Sequence, residues 1–238
     1  MGARFQIVDV ARGCALAAMV VYHACWFATD YRLLDIPINT DLSWRVFQKT
    51  IASSFFGLVG VGLHLSVMLG FSTKRYLQRL AKIGGCAAVV TITSVVLDPG
   101  RITTFGILHS ITVCSVLALP LAFRNGRLAA ALGLALIGVG VGVSHPMFDG
   151  PWLSWTGLAA HVTPTFDHQP LLPWLGVVLL GVALGKRLLP EREAALSVWH
   201  SQRLPARALA RAGRHSLLIY MAHVPALMFT MEALVRLR

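Results

Sequence analysis

Charged residues are scarce in this chain of 238 residues, and acidic ones are scarcer than basic ones. Only 13% of the residues are charged, against roughly 25% in an ordinary soluble domain. The chain has 10 acidic residues and 21 lysines and arginines, 56% of it is apolar, and its mean hydropathy is +0.68. This composition excludes a soluble globular domain and predicts an integral membrane protein.

Motifs that hold metals or activate nucleophiles are also missing. The four cysteines show no CxxC spacing, and all lie within apolar runs, so we expect them to behave as small buried hydrophobic residues. Nine histidines are present, yet no HExxH, HxxxH or paired-cysteine spacing indicates zinc. There is no GxSxG to support a nucleophilic serine. We therefore expect no metal cofactor.

Long apolar runs are what the chain does contain. A helix needs about 17 to 25 residues to cross about 30 Å of hydrocarbon; four runs reach this length, and three shorter ones need flanking residues or local thinning of the bilayer. The pattern predicts an all-α, polytopic transmembrane helix bundle with about seven spans, forming a single domain over residues 1–238. The long runs are Ala11–Ala28, Ile51–Phe71, Ile102–Phe123 and Ser216–Val235, and the short ones are Lys82–Leu97, Leu128–Val143 and Leu171–Gly185.

The basic residues predict the orientation of these spans, because cytoplasmic loops carry an excess of lysine and arginine. Seven spans with the N-terminus in the cytoplasm and the C-terminus outside place most of the 21 basic residues inside. The net charge of +11 then reflects topology and contact with anionic lipid, not nucleic-acid binding. The basic residues left outside are Arg32, Arg45, Lys49, Arg101, Arg236 and Arg238.

Ionisable side chains on the first span form one stripe. At about 100° per residue, Asp9, Arg12, Met19 and His23 fall on nearly one helix face, with a rise of roughly 16 Å from Arg12 to His23. Such groups are costly inside a membrane, so they are functional candidates. The alternative for Asp9 and Arg12 is an ion pair at i, i+3 that also anchors the helix. For His23 the alternative is a packed histidine near the interface.

Two further polar groups are predicted to lie at a depth similar to that of His23. His109 begins the fourth span from the outside, and Asp167 lies just above the sixth span. The topology therefore predicts that three proton-handling groups converge near the outer face. His64 and His223 lie closer to the midplane, where a hydrogen-bonded structural role is an equal alternative to a catalytic one.

Two connections between spans are long enough to have a function of their own. The outer one, from Ser144 to Pro170, contains no lysine or arginine. The inner one, from Lys186 to Arg214, is basic and rich in alanine, which favours an amphipathic helix on the membrane surface. A topology determinant without any ligand is the alternative for the inner connection.

Four ordered blocks of the sequence resemble bacterial membrane proteins related to the heparan-alpha-glucosaminide N-acetyltransferase catalytic domain. The first block also resembles the wider superfamily of envelope O-acyltransferases. The blocks follow the family's order along the whole chain, which makes them more specific together than any one alone. They are RFQIVDVARGCALAAMVVYH at the start, FGILHSI from Phe105, DHQPLLPWLGVVLLGVALGK from Asp167 and GRHSLLIYMAH from Gly213.

This resemblance implies transfer of an acetyl group from cytoplasmic acetyl-CoA to an amino or hydroxyl group of an extracytoplasmic sugar or glycan. His23 would be the general base, because a histidine with an unperturbed pKa of about 6.5 can accept a proton at physiological pH. His109 would orient it or stabilise the oxyanion, and Asp167 would hold the acceptor. The coenzyme-binding residues would be Asp9, Arg12, Arg75, Arg79 and His223, with Lys82 as a further candidate for its phosphates.

The resemblance also implies the setting in which the protein works. We expect a multi-pass protein of the bacterial cytoplasmic (inner) membrane, in contact with membrane lipid and able to form a homo-oligomer. The acceptor is expected to be a surface glycan or a lipid-linked amino sugar and not heparan sulfate. The alternative is a proton-coupled transporter of a small molecule or lipid-linked sugar, with His23, His64 and His223 as a relay.

Overall fold

The computed structural model of the protein describes residues 5–199 and 201–237, with side chains described outside 190–198. This part of the chain contains eight α-helices, two short 3₁₀ turns and no β-strand, which confirms the all-α prediction. The helices are α1 Gln6–Asp30, α2 Leu42–Met68, α3 Thr73–Leu97, α4 Ile107–Ala122, α5 Gly126–Gly142, α6 Leu171–Val198, α7 Leu204–Arg214 and α8 Ser216–Arg236.

Five of the described helices are long and apolar enough to cross a membrane. They are α1, α2, α3, the Leu171–Leu189 part of α6, and α8. Helices α4 and α5 are apolar but have 16 and 17 residues, which gives lengths of about 24 to 26 Å against about 30 Å of hydrocarbon. Each of the seven predicted apolar runs overlaps one of these helices. A helical membrane bundle is therefore confirmed, while the orientation of the termini stays a prediction.

Several helix boundaries differ from those predicted by hydropathy. The third span begins at Thr73 and not at Lys82, because the polar first turns of α3 are also helical and the Ser72 side chain caps them by accepting from the Arg75 amide. The fourth span begins at Ile107 and not at Ile102. The residues before Ile107 form a loop in which the Thr103 amide donates to Ser94 Oγ.

Large apolar side chains cover the outer faces of the described helices. Val96 of α3, Val141 of α5 and Phe229 of α8 each expose at least 74% of their surface. Exposure of many large apolar side chains is unfavourable in water and is expected where lipid surrounds the helices. The outward side chains therefore agree with the composition in indicating a bilayer.

The described chain divides into two compact units. The first comprises Met1–Phe55 and Glu193–Arg238. Its α1 and α7 approach backbone to backbone: a Cβ added to Gly13 would lie 2.1 Å from the Leu209 carbonyl oxygen, and one added to Gly213 would lie 1.9 Å from that of Asp9. Small residues at such crossings are typical of helices packed in membranes. The apolar core of this unit includes Leu16, Met19, Tyr22, Ile38 and Ile51.

The second unit, Phe56–Arg192, has its own packed interior. Phe56 stacks on Trp174 with ring centroids 4.9 Å apart. The α2 and α6 backbones touch nearby, because a Cβ on Gly60 would lie 2.0 Å from the Val178 carbonyl oxygen and one on Gly181 would lie 2.2 Å from that of Gly57. This unit also holds the outer connection. There the Asp149 carboxylate accepts hydrogen bonds from the Ala160 and His161 amides and from His161 Nδ1.

Candidate active site

Two imidazoles lie together in the first unit. His23 on α1 and His223 on α8 have ring centroids 5.0 Å apart in an edge-to-face arrangement. His23 is partly buried, and His223 exposes only 7% of its surface. The sequence placed both residues inside spans, but their partnership follows only from the packing of α1 with α8.

Hydrogen bonding assigns the same tautomer to both rings when they are neutral. Nδ1 of His23 lies 2.9 Å from the Met19 carbonyl oxygen, and Nδ1 of His223 contacts that of Tyr220. A carbonyl oxygen only accepts, so each Nδ1 carries the proton and each Nε2 presents a lone pair. Among the described residues neither Nε2 has a hydrogen-bond partner, and that of His223 is buried. Each Nε2 can therefore accept a proton from a bound molecule.

Aromatic side chains support the imidazole pair. The Tyr22 ring packs edge-on against His23 at 5.5 Å and also contacts Trp44 and Phe47. On the other side, the Tyr220 ring lies 5.5 Å from His223. Packing of this kind restricts the rotamers of both histidines, as precise proton transfer requires.

Asp9 and Arg12 form an ion pair near the start of α1, with Arg12 Nη1 3.6 Å from Asp9 Oδ1. Asp9 is 5% exposed, and the close contact of Gly213 with its carbonyl oxygen brings α7 against this turn. The ion pair predicted from the i, i+3 spacing is confirmed. Binding of a coenzyme by either residue stays a prediction.

His109 lies in the second unit, and both of its ring nitrogens are engaged. Nδ1 accepts from the Gly106 amide at 3.3 Å, and Nε2 lies 3.2 Å from Thr91 Oγ1. The Thr91 hydroxyl donates to the Thr103 carbonyl oxygen, so Nε2 of His109 must be the donor to Thr91. His109 thereby closes the first turn of α4 and ties it to α3.

Asp167 also contacts the start of α4. Its Oδ2 accepts from the Ile107 amide at 2.7 Å, which satisfies a backbone donor of the first helical turn. Burial raises the pKa of the Asp167 carboxyl, and this hydrogen bond and one with Gln169 act in the opposite direction. His109 and Asp167 therefore lie at the same helix terminus, and both serve to cap it. The predicted convergence of these two residues with His23 stays a prediction.

The cations predicted to attract phosphates on α3 lie in its first turns. Arg75 is exposed and donates from Nη2 to the Gly70 carbonyl oxygen at 3.2 Å. Arg79 is partly buried. Neither is brought to a described cavity, so their role in coenzyme binding stays a prediction.

His64 differs from the other histidines in the described spans. Both of its ring nitrogens are buried and lack a hydrogen-bond partner among the described residues. Its ring packs on α6, where a Cβ on Gly185 would lie 3.0 Å from His64 Cδ2. No titratable side chain of the described residues lies within hydrogen-bond distance of its ring, and it is not part of the imidazole pair.

Sequence reasoning missed two features of the first unit. One is the pairing of His23 with His223, for which the sequence offers no signal beyond two histidines inside spans. The other is a cavity of about 490 Å³ beside α7. The signal for the cavity was the spacing of Arg207, Arg211 and Arg214, which places three cations on one helix face.

A bundle of lipid-facing helices that holds two imidazoles with unoccupied basic nitrogens defines a membrane protein equipped for proton transfer. Over residues 4–225 the chain matches the family model described as "Heparan-alpha-glucosaminide N-acetyltransferase, catalytic", and it belongs to that family. The family is one of transmembrane acetyltransferases, and the chain is a transmembrane acetyltransferase in this general sense. No curated protein and no solved structure matches it.

Proposed function

We propose that the protein transfers an acetyl group from cytoplasmic acetyl-CoA to an amino or hydroxyl group of an extracytoplasmic sugar or glycan, with His23 as the general base. The observation that supports this proposal is the pair of Nε2 lone pairs on His23 and His223. A buried acceptor without a donor costs about 1–3 kcal/mol. A bound substrate that brings an O–H or N–H group removes this cost.

The proposed step needs only the residues of the first unit and the two substrates. Nε2 of His23 takes the proton from the acceptor while its oxygen or nitrogen attacks the carbonyl carbon of the thioester. The new C–O or C–N bond forms, the C–S bond breaks, and the proton passes from His23 to the departing sulfur. The products are the acetylated acceptor and free coenzyme A, and His23 returns to its neutral form.

His223 is proposed as a positioning residue for this step. Its ring lies edge-to-face with His23, and its buried Nε2 accepts a hydrogen bond but has none to donate when neutral. It can therefore accept a hydrogen bond from the second N–H of an amino acceptor, or from a water molecule, beside His23. The alternative proposal is that His223 binds the coenzyme, with the same nitrogen accepting a hydrogen bond from an amide of the pantetheine arm.

The cytoplasmic cations are proposed to attract the phosphates of the donor. Arg12 lies roughly 16 Å below His23 along α1, a distance comparable to the length of an extended pantetheine arm. Asp9 fixes Arg12 through their ion pair. Arg75 and Arg79 are proposed to add to the positive potential at the cytoplasmic side.

His109 and Asp167 are proposed to shape the side on which the acceptor arrives. Because both nitrogens of His109 are hydrogen-bonded, its contacts favour positioning of the α4 terminus. A direct role of His109 on the oxyanion, or of Asp167 on the acceptor, stays a prediction.

The proposed setting is the bacterial cytoplasmic membrane, with the N-terminus in the cytoplasm and the C-terminus outside. In this setting the protein is able to form homo-oligomers.

Single-turnover acetyl transfer by protein reconstituted in lipid vesicles tests the proposal. Radiolabelled acetyl-CoA is supplied on one side and a mixture of amino sugars and glycans on the other. We expect His23→Ala to lower the rate of transfer by about 10² to 10⁴-fold, the usual contribution of a general base. Full activity of His23→Ala would overturn the assignment of the base.

A second variant separates chemistry from folding. In His23→Asn the side-chain amide retains a donor near the position of Nδ1 and can still bond to the Met19 carbonyl, but nothing replaces Nε2. We expect His23→Asn to keep the thermal stability of the wild type and to lose activity as His23→Ala does. Movement of a sugar without consumption of acetyl-CoA, driven by a pH gradient, would instead support the transporter.

A further inference from the structure

The cavity beside α7 lies within the first unit and has a volume of about 490 Å³. This size falls within the roughly 300–1,000 Å³ of small-molecule sites. Three arginines and three uncharged polar residues line it. The polar residues that line it are Gln6, Ser201, Gln202, Arg207, Arg211 and Arg214.

Three guanidinium groups are presented on one face of α7. Arg207, Arg211 and Arg214 are spaced i, i+4 and i+7, so they lie within about 60° of one another around the helix and within about 11 Å along it. The opposite face carries Leu209 and Gly213, which pack against α1. Packing therefore holds the cationic face away from α1, toward the cavity.

No carboxylate among the described residues pairs with these three arginines. Like charges at i, i+4 destabilise a helix by a few tenths of a kcal/mol. Within the described part of the chain, the cluster therefore has no acidic partner of the kind that a purely structural set of arginines would have. An anionic ligand would neutralise it, and arginine is suited to phosphate because its planar group donates two parallel hydrogen bonds.

The polar end of the cavity is held by two hydrogen bonds between α1 and the segment before α7. Gln6 Nε2 donates to the Ser201 carbonyl oxygen at 3.3 Å, and the Ser201 amide donates to Gln6 Oε1 at 2.8 Å. The Arg203 amide also donates to Ser201 Oγ at 3.4 Å. These hydrogen bonds tie the segment before α7 to the start of α1.

We propose that this cavity binds the phosphate groups of coenzyme A, namely the 3′-phosphate and the 5′-diphosphate carried on one ribose. The inference rests on the proposed function, which supplies acetyl-CoA as the donor. Gly213 packs on Asp9, so the Arg214 end of the cavity lies beside the turn of α1 that holds Arg12. The fourteen residues from Asp9 to His23 rise by about 21 Å, which an extended diphosphate and pantetheine arm can span.

An anionic lipid headgroup shares this phosphate chemistry, and the test separates the two sources. The full chain is reconstituted in nanodiscs of zwitterionic lipid, and the Kd of acetyl-CoA, dephospho-CoA and adenosine 3′,5′-diphosphate is measured by titration calorimetry. The same titrations are repeated with phosphatidylglycerol in the disc. Two variants with the same loss of charge are compared: Arg207→Gln/Arg211→Gln in the cavity and Arg124→Gln/Arg127→Gln, both exposed and outside it.

The cavity variant is expected to raise the Kd of acetyl-CoA and of adenosine 3′,5′-diphosphate at least tenfold. The control variant is expected to change the Kd less than twofold. Arg207→Lys/Arg211→Lys should restore part of the affinity, since it keeps charge and loses the bidentate geometry. Adenosine 3′,5′-diphosphate should compete with acetyl-CoA, and dephospho-CoA should bind more weakly.

Three results would overturn the inference while leaving the proposed function intact. The first is normal acetyl transfer with an unchanged Kd in the cavity variant. The second is an equal rise of Kd in the cavity and control variants, which would indicate a general effect of charge. The third is a cavity variant that changes only the response to phosphatidylglycerol, which would assign the cavity to lipid. Wild-type protein that binds acetyl-CoA with the expected arginine dependence but transfers nothing would refute the proposed function instead.

Discussion

The histidines of the two units differ in what their ring nitrogens do. In the first unit His23 and His223 each use Nδ1 to bond to a carbonyl of their own helix and leave Nε2 unoccupied. In the second unit His109 uses both nitrogens, one for the Gly106 amide and one for Thr91. The residue type and the apolar setting are the same, but only the first arrangement leaves a lone pair for a substrate.

Whether an imidazole of this chain can accept a proton from a substrate depends on its second nitrogen. Nδ1 bonding fixes the ring and its tautomer in all three cases, which is the ordinary way to orient a histidine. The partner of Nε2 then determines whether the histidine can act as a base or makes only a structural hydrogen bond. Thr91, whose own proton is committed to Thr103, makes Nε2 of His109 a donor and removes it as a base.

After His23, the largest loss of transfer rate is expected on substitution of His223. His223→Asn keeps a donor near Nδ1 for the Tyr220 carbonyl and removes Nε2. Because one hydrogen bond contributes about 0.5–1.5 kcal/mol, single-turnover transfer should fall by up to about tenfold. Rapid-quench measurement at saturating acetyl-CoA checks this.

The matched control is His215→Asn, which changes an exposed histidine one residue before α8 begins. It should leave the rate unchanged. If His223→Asn were as active as the control, His223 would have no part in positioning the acceptor. If it raised the KM for acetyl-CoA at constant kcat, the histidine would belong to the donor site.

A smaller effect, on stability and not on chemistry, is expected at His109. His109→Ala leaves the Gly106 amide without its side-chain partner and removes the hydrogen bond that Thr91 Oγ1 accepts, so the free energy of unfolding should fall by about 1–3 kcal/mol. Thr91→Val removes one of the same bonds from the other side. In a double-mutant cycle read by thermal unfolding, the two changes should be less than additive.

Activity measured below the unfolding transition sharpens this prediction. There His109→Ala should retain transfer in proportion to its folded fraction. A fall in the transfer rate of about 10²-fold or more, with an unchanged unfolding transition, would show that His109 acts on the reacting atoms. The histidines of the two units would then not differ in the way described.

The smallest change in the free energy of unfolding is expected for Asp167→Asn. The amide oxygen of asparagine can still accept from the Ile107 amide, and burial already raises the pKa of the Asp167 carboxyl, so loss of the charge should cost little stability. Asp167→Ala removes the cap and should lower stability by about 1 kcal/mol. Thermal unfolding and single-turnover transfer of both variants check this.

The Asp167 pair of variants also tests whether the acceptor uses the carboxylate. Equal loss of activity in Asp167→Asn and Asp167→Ala, with only the latter destabilised, would assign Asp167 to acceptor binding. Activity that follows stability would leave it as a cap. Since a raised carboxyl pKa favours the protonated form in the folded state, any contribution of Asp167 to stability should weaken as the pH rises through that pKa.

Much of the candidate site was predictable from single residues and local spacing. The stripe on α1 follows from helical periodicity, which is why the Asp9–Arg12 ion pair and the intramembrane position of His23 were predicted correctly. Topology predicted that His23, His109 and Asp167 converge near the outer face, and the approach of His23 to the other two stays a prediction. The proximity of His109 and Asp167 was part of this prediction. Their hydrogen bonds were not, since capping depends on backbone positions that hydropathy does not report.

The sequence by itself determined that the chain crosses a membrane, that it is helical and to which family it belongs, because composition, apolar run length and ordered motifs are properties of the chain alone. Only the tertiary structure decided which histidines are available and where the basic cavity lies. Those features depend on contacts between helices distant in sequence, such as α1 with α7 and α8. The small residues Gly13 and Gly213 are what allow the backbones of α1 and α7 to approach so closely.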